Sequence, residues 1–321
     1  MQAVDGGHPT WNRLGLFVCP TCRAGLSERD GLVACEAGHE FPLVGDKAVL
    51  IGEGSSFVPG DVAATKASYF DARARESARK GEWRRRLPAP GRNIRGAFVA
   101  PAQQIVAEVA EGRTPVGLLL GCGERGASRT ERFAGVDWIL TDVDLNYAAE
   151  AAADVTSLPL PDGSVDIVLV EHVLEHVLDP LRGAAEIERV LRVGGVVVAV
   201  VPFSFPWHGA PIDYFRVTPS GMRVLFRSCA VEHLGAGMGG GSALSYGAVA
   251  TVAGIPVSRT WRRVALVLSR LLLTPIKYLD QLEERRGKAL TFAAEYQFVG
   301  RKLEEPLTDR ELLDDVRARF G

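Results

Sequence analysis

The sequence predicts an α/β protein built on a doubly wound, mostly parallel sheet, and three observations carry that expectation. An apolar run at 116–120 passes directly into Gly121-Cys122-Gly123-Glu124-Arg125-Gly126, the pattern of a buried strand turning into a helix start. A second apolar run at 136–141 ends on Asp142, sixteen residues beyond the last glycine. Further apolar runs at 165–170 and 196–201 are separated by an amphipathic stretch and a Gly194-Gly195 turn.

Each element has its own signal. Glycines at 121, 123 and 126 form a G-x-G-x-x-G loop, which permits a tight turn and lets a ligand approach the backbone, while free amides at the helix start favour polar groups. Asp142 stands where such folds place the acceptor for ribose hydroxyls. Between 178 and 194, Asp179 is a capping residue and Pro180 suits the first turn. Leu181, Ala184, Ile187 and Leu191 then make an apolar stripe, so this helix covers the sheet.

Taken together, the glycine loop, Asp142, the segment from Asp154 to His176 and the final apolar run resemble a class I S-adenosylmethionine-dependent methyltransferase over residues 69–302. The resemblance implies a Rossmann-like sheet closed by an antiparallel terminal hairpin, here expected at 230–234 and 292–300. It places Gly121, Gly123 and Gly126 around the methionine part of the cofactor and Asp142 on the ribose. Asp154 and Val155 fall beside the adenine, and Glu171 and His172 at the strand end where methyl group and acceptor meet. One position departs from the family: Leu119 replaces an acidic residue that lies near the cofactor's amino group.

Composition agrees with this class. The 321 residues are 47% hydrophobic and 24% charged, enough for an ordinary core, and the net charge of -2 gives no general attraction to nucleic acid. Residues 1–15 lack the apolar core of a signal peptide, and Arg270 interrupts the longest apolar stretch, so a cytoplasmic protein without a transmembrane segment is expected. Nothing in the sequence reports the oligomeric state.

Ahead of this domain, Cys19-Pro-Thr-Cys22 and Cys35-Glu-Ala-Gly-His39 supply four ligands, the number a closed tetrahedral zinc site needs. Short strands are expected at 17–18, 32–33 and 41–44. With no coordination position left open, the metal would be structural, and its binding would supply stability that so small a unit lacks. Residues 16–51 are similar to the zinc-ribbon modules that precede the methyltransferase fold in large-subunit ribosomal RNA guanine methyltransferases, and to small zinc-ribbon activator subunits. The expected organisation is a zinc-ribbon domain at 1–51, a linker at 52–65, the methyltransferase domain at 66–303 and a C-terminal tail at 304–321.

The resemblance raises RNA as an acceptor, but residues 1–51 carry a net charge of -2, the wrong sign for a phosphate-binding face. A helix-favouring stretch with a basic cluster does exist at 66–95, with a net charge of +7, although it has few aromatics to stack bases and reads as a solvated face. The preferred acceptor is therefore a hydroxyl or amine of a small molecule, such as a sugar or secondary metabolite. Ribosomal RNA methylation is one alternative, and a non-catalytic zinc-ribbon partner protein, suggested by Leu119, is another.

Residues 202–220 follow the fifth strand and place Trp207, His208, Asp213, Tyr214 and Arg216 at the acceptor end of the sheet. Either His172 or His208 is expected to remove the acceptor proton, with Asp213 orienting or assisting; the choice between them stays open. His172-Val-Leu-Glu-His176 also matches a zinc-protease signature, but that chemistry requires a helix, whereas the motif here begins at a strand end. Near the C-terminus, residues 259–282 form an amphipathic basic helix, expected to pack on the core or act as a substrate lid rather than attach to a membrane, with an interfacial role as the alternative for an enzyme acting on a lipid-linked glycan, and with Pro275 bending or ending it.

Overall fold

The apolar runs of the central segment form strands in the computed structural model, which describes residues 10–29, 31–64, 86–92, 98–208, 212–286 and 291–320. An antiparallel meander comes first: β1 (Leu26–Arg29), β2 (Leu32–Cys35), β3 (Glu40–Val44) and β4 (Lys47–Leu50). The strand expected at 17–18 is instead a single bridge between Val18 and Gly25, preceded by a 3-10 helix at Thr10–Leu16.

The main strands are β5 (Val116–Leu120), β6 (Asp137–Asp142), β7 (Ala151–Ala153), β8 (Val165–Glu171), β9 (Leu191–Pro202), β10 (Cys229–Gly239) and β11 (Ala293–Lys302). Among the described residues they join the meander in one 11-stranded sheet, ordered β1-β2-β3-β4-β7-β6-β5-β8-β9-β11-β10. Pairing is parallel from β4 to β9, and β11 and β10 close the sheet as the expected antiparallel pair.

All seven residues of β8 are buried, because helices cover both faces of a central parallel strand. On one face, α2 (Val99–Ala110) packs Ile105 and Val106 against Leu119, Leu169 and Val198. On the other, α4 (Pro180–Val190) packs Ala184 and Ile187 against Leu118, Val168 and Val197. Each large aliphatic side chain buried this way contributes about 1.5–3 kcal/mol. The Asp179 carboxylate caps α4 as expected, accepting from the Arg182 amide at 3.0 Å.

Two expectations change. The sheet runs across the boundary drawn at residue 51: Ala48, Val49 and Leu50 of β4 pair in parallel with Ala151, Ala152 and Ala153 of β7. Lys47 fixes this junction by donating from Nζ to the carbonyls of Leu145 and Tyr147, at 3.0 and 2.7 Å. The segment expected as a linker also packs down, with Val62 of α1 (Pro59–Ala63) buried against Val49, Ile51 and Leu145. Most of the basic stretch at 66–95 lies outside the described residues.

The second change concerns the insert between β10 and β11, which holds α6 (Gly240–Gly254), α7 (Arg259–Leu273), a 3-10 turn at Thr274–Leu279 beginning next to Pro275, and α8 (Asp280–Arg286). Core packing or a lid was expected for α7; against core packing, Trp261 is 66% exposed and Leu272 72%. Beyond the sheet, α9 (Asp309–Phe320) folds back on α5 (Pro219–Leu225) through buried Leu312 and an ion pair from buried Arg223 to Asp315 at 2.7 Å. Among the described residues, no helix is long and apolar enough to cross a membrane.

One buried charge anchors the sheet's lower end. The fully buried Asp166 carboxylate receives Arg113 bidentately at 2.5 and 2.7 Å and the Val116 amide at 2.8 Å. Burial alone would raise this carboxyl, but the Arg113 hydrogen bonds hold it below its ordinary range. Asp166→Asn is expected to cost about 2–3 kcal/mol, read as a lower midpoint in urea unfolding.

Candidate functional site

Strand order reverses between β5 and β8, and in doubly wound sheets ligands sit beyond the carboxyl ends of the strands at such a point. A cavity opens there, lined by Gly121, Gly123, Asp142, Asp154, Val155, Glu171 and His172. Gly121 has φ +62°, and a Cβ at that position would lie 2.6 Å from Val173 Cγ2, so only glycine fits the turn. Gly126 does not line the cavity. Its bare Cα lets α3 (Gly126–Thr130) settle onto β5, where an added Cβ would come within 3.2 Å of Cys122 Cβ.

The floor of the cavity is built around Asp142. Its carboxylate accepts from the Gly123 amide at 2.9 Å and the Asp144 amide at 3.0 Å, so the glycine loop itself orients it. Burial pushes the Asp142 carboxyl up despite those amides. Asp154 is fixed from both sides, accepting from the Thr156 amide at 2.9 Å and the Ser55 hydroxyl at 2.5 Å. Ser55 and the lining residue Phe57 come from the segment just after the meander, which thus forms part of the cavity wall. Leu119 points the other way, into the apolar cluster with Phe98 and Ala102.

Glu171 reaches the cavity already paired with two arginines of the glycine-loop arm, Arg132 at 2.6 Å and Arg129 at 3.5 Å. Arg129 also lines the cavity and donates to the Gly121 carbonyl at 2.8 Å. A sequence reading that looks for glycines and carboxylates has no reason to pick these arginines.

Immediately after β8 the backbone turns sharply, with His172 at φ +57°. The motif from His172 to His176 is a strand end followed by a 3-10 turn at Leu174–His176, which lacks the helix a zinc-protease site requires. The turn gathers histidines and carboxylates from three distant segments. His172 Nδ1 lies 3.1 Å from Glu175 Oε1 and its Nε2 lies 3.0 Å from Glu295 Oε2, the latter brought in by β11. His208 Nε2 lies 3.4 Å from the same Glu175 oxygen, and its Nδ1 lies 3.4 Å from Asp213. His176 is held through Nδ1 at the Ile212 carbonyl, and its Nε2 lies 3.8 Å from the same Glu175 oxygen.

Electrostatics divides the two candidate bases. Burial pulls the His172 imidazolium down, but hydrogen bonds to Glu175 and Glu295 outweigh it and hold His172 up at about 9. Burial likewise pushes Glu175 up, and the bonds from His172 and His208 outweigh it, bringing the carboxyl to about 2. His172 is therefore already protonated at neutral pH. Asp213 is gripped bidentately by Arg216 at 2.6 and 2.8 Å and accepts from the His208 amide at 2.7 Å, so it positions the loop that carries His208. Trp207 and Tyr214 are exposed at the rim.

Glu175 and Glu295 were not among the residues expected at the site. Glu175 had a signal, the carboxylate inside the His172–His176 motif, whereas Glu295 arrives through a strand pairing 120 residues away. Donor atoms of His172, Glu175 and His208 lie within 4.8 Å of one another, a spacing that could also admit a cation. Each nitrogen of His172 already faces a carboxylate at hydrogen-bond distance, as in a proton-sharing network.

The second cluster lies in the meander. Cys35 Sγ and Cys19 Sγ are 3.3 and 3.6 Å from His39 Nδ1, and Cys22 Sγ is 3.6 Å from Cys35 Sγ. Zinc–sulfur and zinc–nitrogen bonds arranged tetrahedrally give ligand-to-ligand edges of about 3.5–3.8 Å. Cys19, Cys22, Cys35 and His39 thus fit a tetrahedral metal ion with little movement.

Residues 118–199 match the family described as a methyltransferase domain. A "Probable S-adenosylmethionine-dependent methyltransferase" of Mycolicibacterium smegmatis is 36% identical over 30% of this chain and 42% of its own length. An uncharacterized 37.1 kDa protein in a transposon of Streptomyces fradiae is 31% identical over 50% of this chain and 43% of its own. The chain thus spans less than half the length of these relatives. Among solved structures, the 1,6-didemethyltoxoflavin-N1-methyltransferase of Burkholderia thailandensis covers 83% of this chain and 100% of its own at 15% identity and a TM-score of 0.38.

Proposed function

We propose that this chain, whose residues 118–199 match a methyltransferase domain, is an S-adenosylmethionine-dependent enzyme that transfers a methyl group to a hydroxyl or amine of a small molecule, with His208 as the proton acceptor. The observation that carries this reading is the His208–Glu175–His172 network at the mouth of the cavity that holds Asp142 and the glycine loop.

The cofactor, when bound, supplies a methyl group on a positively charged sulfur. Gly121, Gly123, Asp142, Asp154 and Val155 would hold it, with Asp142 on the ribose and Val155 against the adenine. That methyl group would be the electrophile for the acceptor, and His208 would take up the proton that the acceptor loses. Glu175 stabilises the imidazolium that results. His172 is protonated beforehand and serves as a fixed positive neighbour, and Asp213, neutralised by Arg216, positions the His208 loop.

The meander is proposed to bind structural zinc through Cys19, Cys22, Cys35 and His39. Its contribution is to support the β4–β7 junction and the Ser55–Asp154 contact rather than to perform chemistry.

The reading is tested with labelled S-adenosylmethionine offered alongside hydroxyl- and amine-bearing sugars and aromatics, and separately alongside ribosomal RNA. Transfer to a small molecule, reduced about 100-fold or more by His208→Gln, is the expected result. Label entering RNA alone would contradict it.

A further inference from the structure

We propose that the outer face of α7 docks the protein onto an anionic membrane surface. Trp261, Val264, Leu268, Leu271 and Leu272 recur three or four residues apart and so share one face of the helix. All five are exposed, while Ser269 on the opposite side is buried. The helix therefore turns its apolar stripe outward, the reverse of what a soluble surface helix does.

Charge identifies the occupant. From residue 233 to 279 there is no aspartate or glutamate, while Arg259, Arg262, Arg263, Arg270 and Lys277 fall in that span. On the helical wheel Arg262 and Arg263 lie about 80° beyond the two edges of the stripe, toward the other side of the helix. A second copy of the chain would set these arginines against themselves, and RNA would meet the cations but leave the tryptophan and leucines in water. An anionic bilayer satisfies both, taking the apolar face at the acyl boundary and the cations at the headgroups. The described residues 86–92 are tied to the insert: the Arg92 amide donates to Ser242 at 2.9 Å, and Lys277 donates to the Ala89 carbonyl at 2.8 Å.

The insert leaves β10 at Gly239 and returns into β11 at Ala293, the pair of residues that face each other at that end of the hairpin. Two residues further along β11, Glu295 reaches His172. The insert that carries α7 is thus rooted at the acceptor end of the sheet, beside the strand that brings Glu295 to His172.

The test is cosedimentation of the full-length, zinc-loaded protein with vesicles of mixed phosphatidylglycerol and phosphatidylcholine, beside vesicles of phosphatidylcholine alone. The wild type is expected to bind the anionic vesicles and to be released by salt. Trp261→Ser/Leu268→Ser/Leu272→Ser and, independently, Arg259→Gln/Arg262→Gln/Arg263→Gln are each expected to lower partitioning about tenfold or more, while S-adenosylhomocysteine affinity stays at the wild-type value. The cofactor readout separates loss of docking from loss of fold, and it is independent of which acceptor is methylated. Absence of wild-type binding to anionic vesicles would overturn the proposal. So would a stable dimer that the apolar variant dissociates without any vesicle binding, or binding to RNA that the apolar variant leaves intact.

Discussion

Glu175→Gln is expected to reduce methyl transfer by about 100-fold or more while leaving S-adenosylhomocysteine affinity within a few-fold of wild type. The carboxylate is fully buried and shared by His172 at 3.1 Å and His208 at 3.4 Å, so its charge holds two imidazoles at once. Removing it leaves His172 with Glu295 as its remaining carboxylate neighbour in the network described, and deprives the His208 imidazolium of its counter-charge. The pH dependence follows from the sign of the shift. His172 is raised from an ordinary 6.5 to about 9, so the stability it contributes is fully present below about 6.5 and is lost as pH rises through about 9. In Glu175→Gln that loss should begin at lower pH. Thermal melts and kcat profiles across this window check both points; an alkaline limb that does not move would exclude Glu175 as the group holding the His172 proton.

Removing the metal is expected to damage the whole chain rather than the meander alone. Zinc binding to small ribbons supplies on the order of 10 kcal/mol, which is comparable to the entire stability of an ordinary domain. Here β4 is also the parallel neighbour of β7, and the segment after it supplies Ser55 to Asp154 at 2.5 Å. Chelation, or Cys35→Ser, should therefore lower Tm by about 10 °C or more and weaken cofactor binding in parallel. Full thermal stability and unchanged affinity after verified metal loss would show that the four ligands are dispensable.

Legibility in the sequence followed the range of the interaction. The strand at 116–120, the glycine turn and Asp142 were readable because a buried parallel strand is a short apolar run and a tight turn needs glycine at fixed offsets. Asp179 and Pro180 marked the start of α4 for equally local reasons. That Cys19, Cys22, Cys35 and His39 come together as one cluster was legible from spacing alone. What escaped was non-local. Lys47 to Leu50 carried no strand expectation, and its pairing with β7 is what joins it to the main sheet. Glu295 sits in an apolar strand with no motif around it, and the register of β11 on β9 carries it to His172. Periodicity showed that α7 has an apolar side but not what that side meets, and the side proves to face outward. The proposal of His208 over His172 rests on the carboxylates on either side of His172, which no spacing rule reveals.

The central claim is that the cavity at the β5–β8 reversal binds S-adenosylmethionine through the orientation of Asp142 by the glycine loop. Calorimetric titration of the zinc-loaded protein with S-adenosylhomocysteine, beside Asp142→Ala, tests it most directly. The account predicts wild-type binding in the micromolar range and a loss of about tenfold or more in the variant, as removal of a buried carboxylate proposed to accept ribose hydroxyls would give. A folded wild type that does not bind, or a variant that binds equally well, would contradict it.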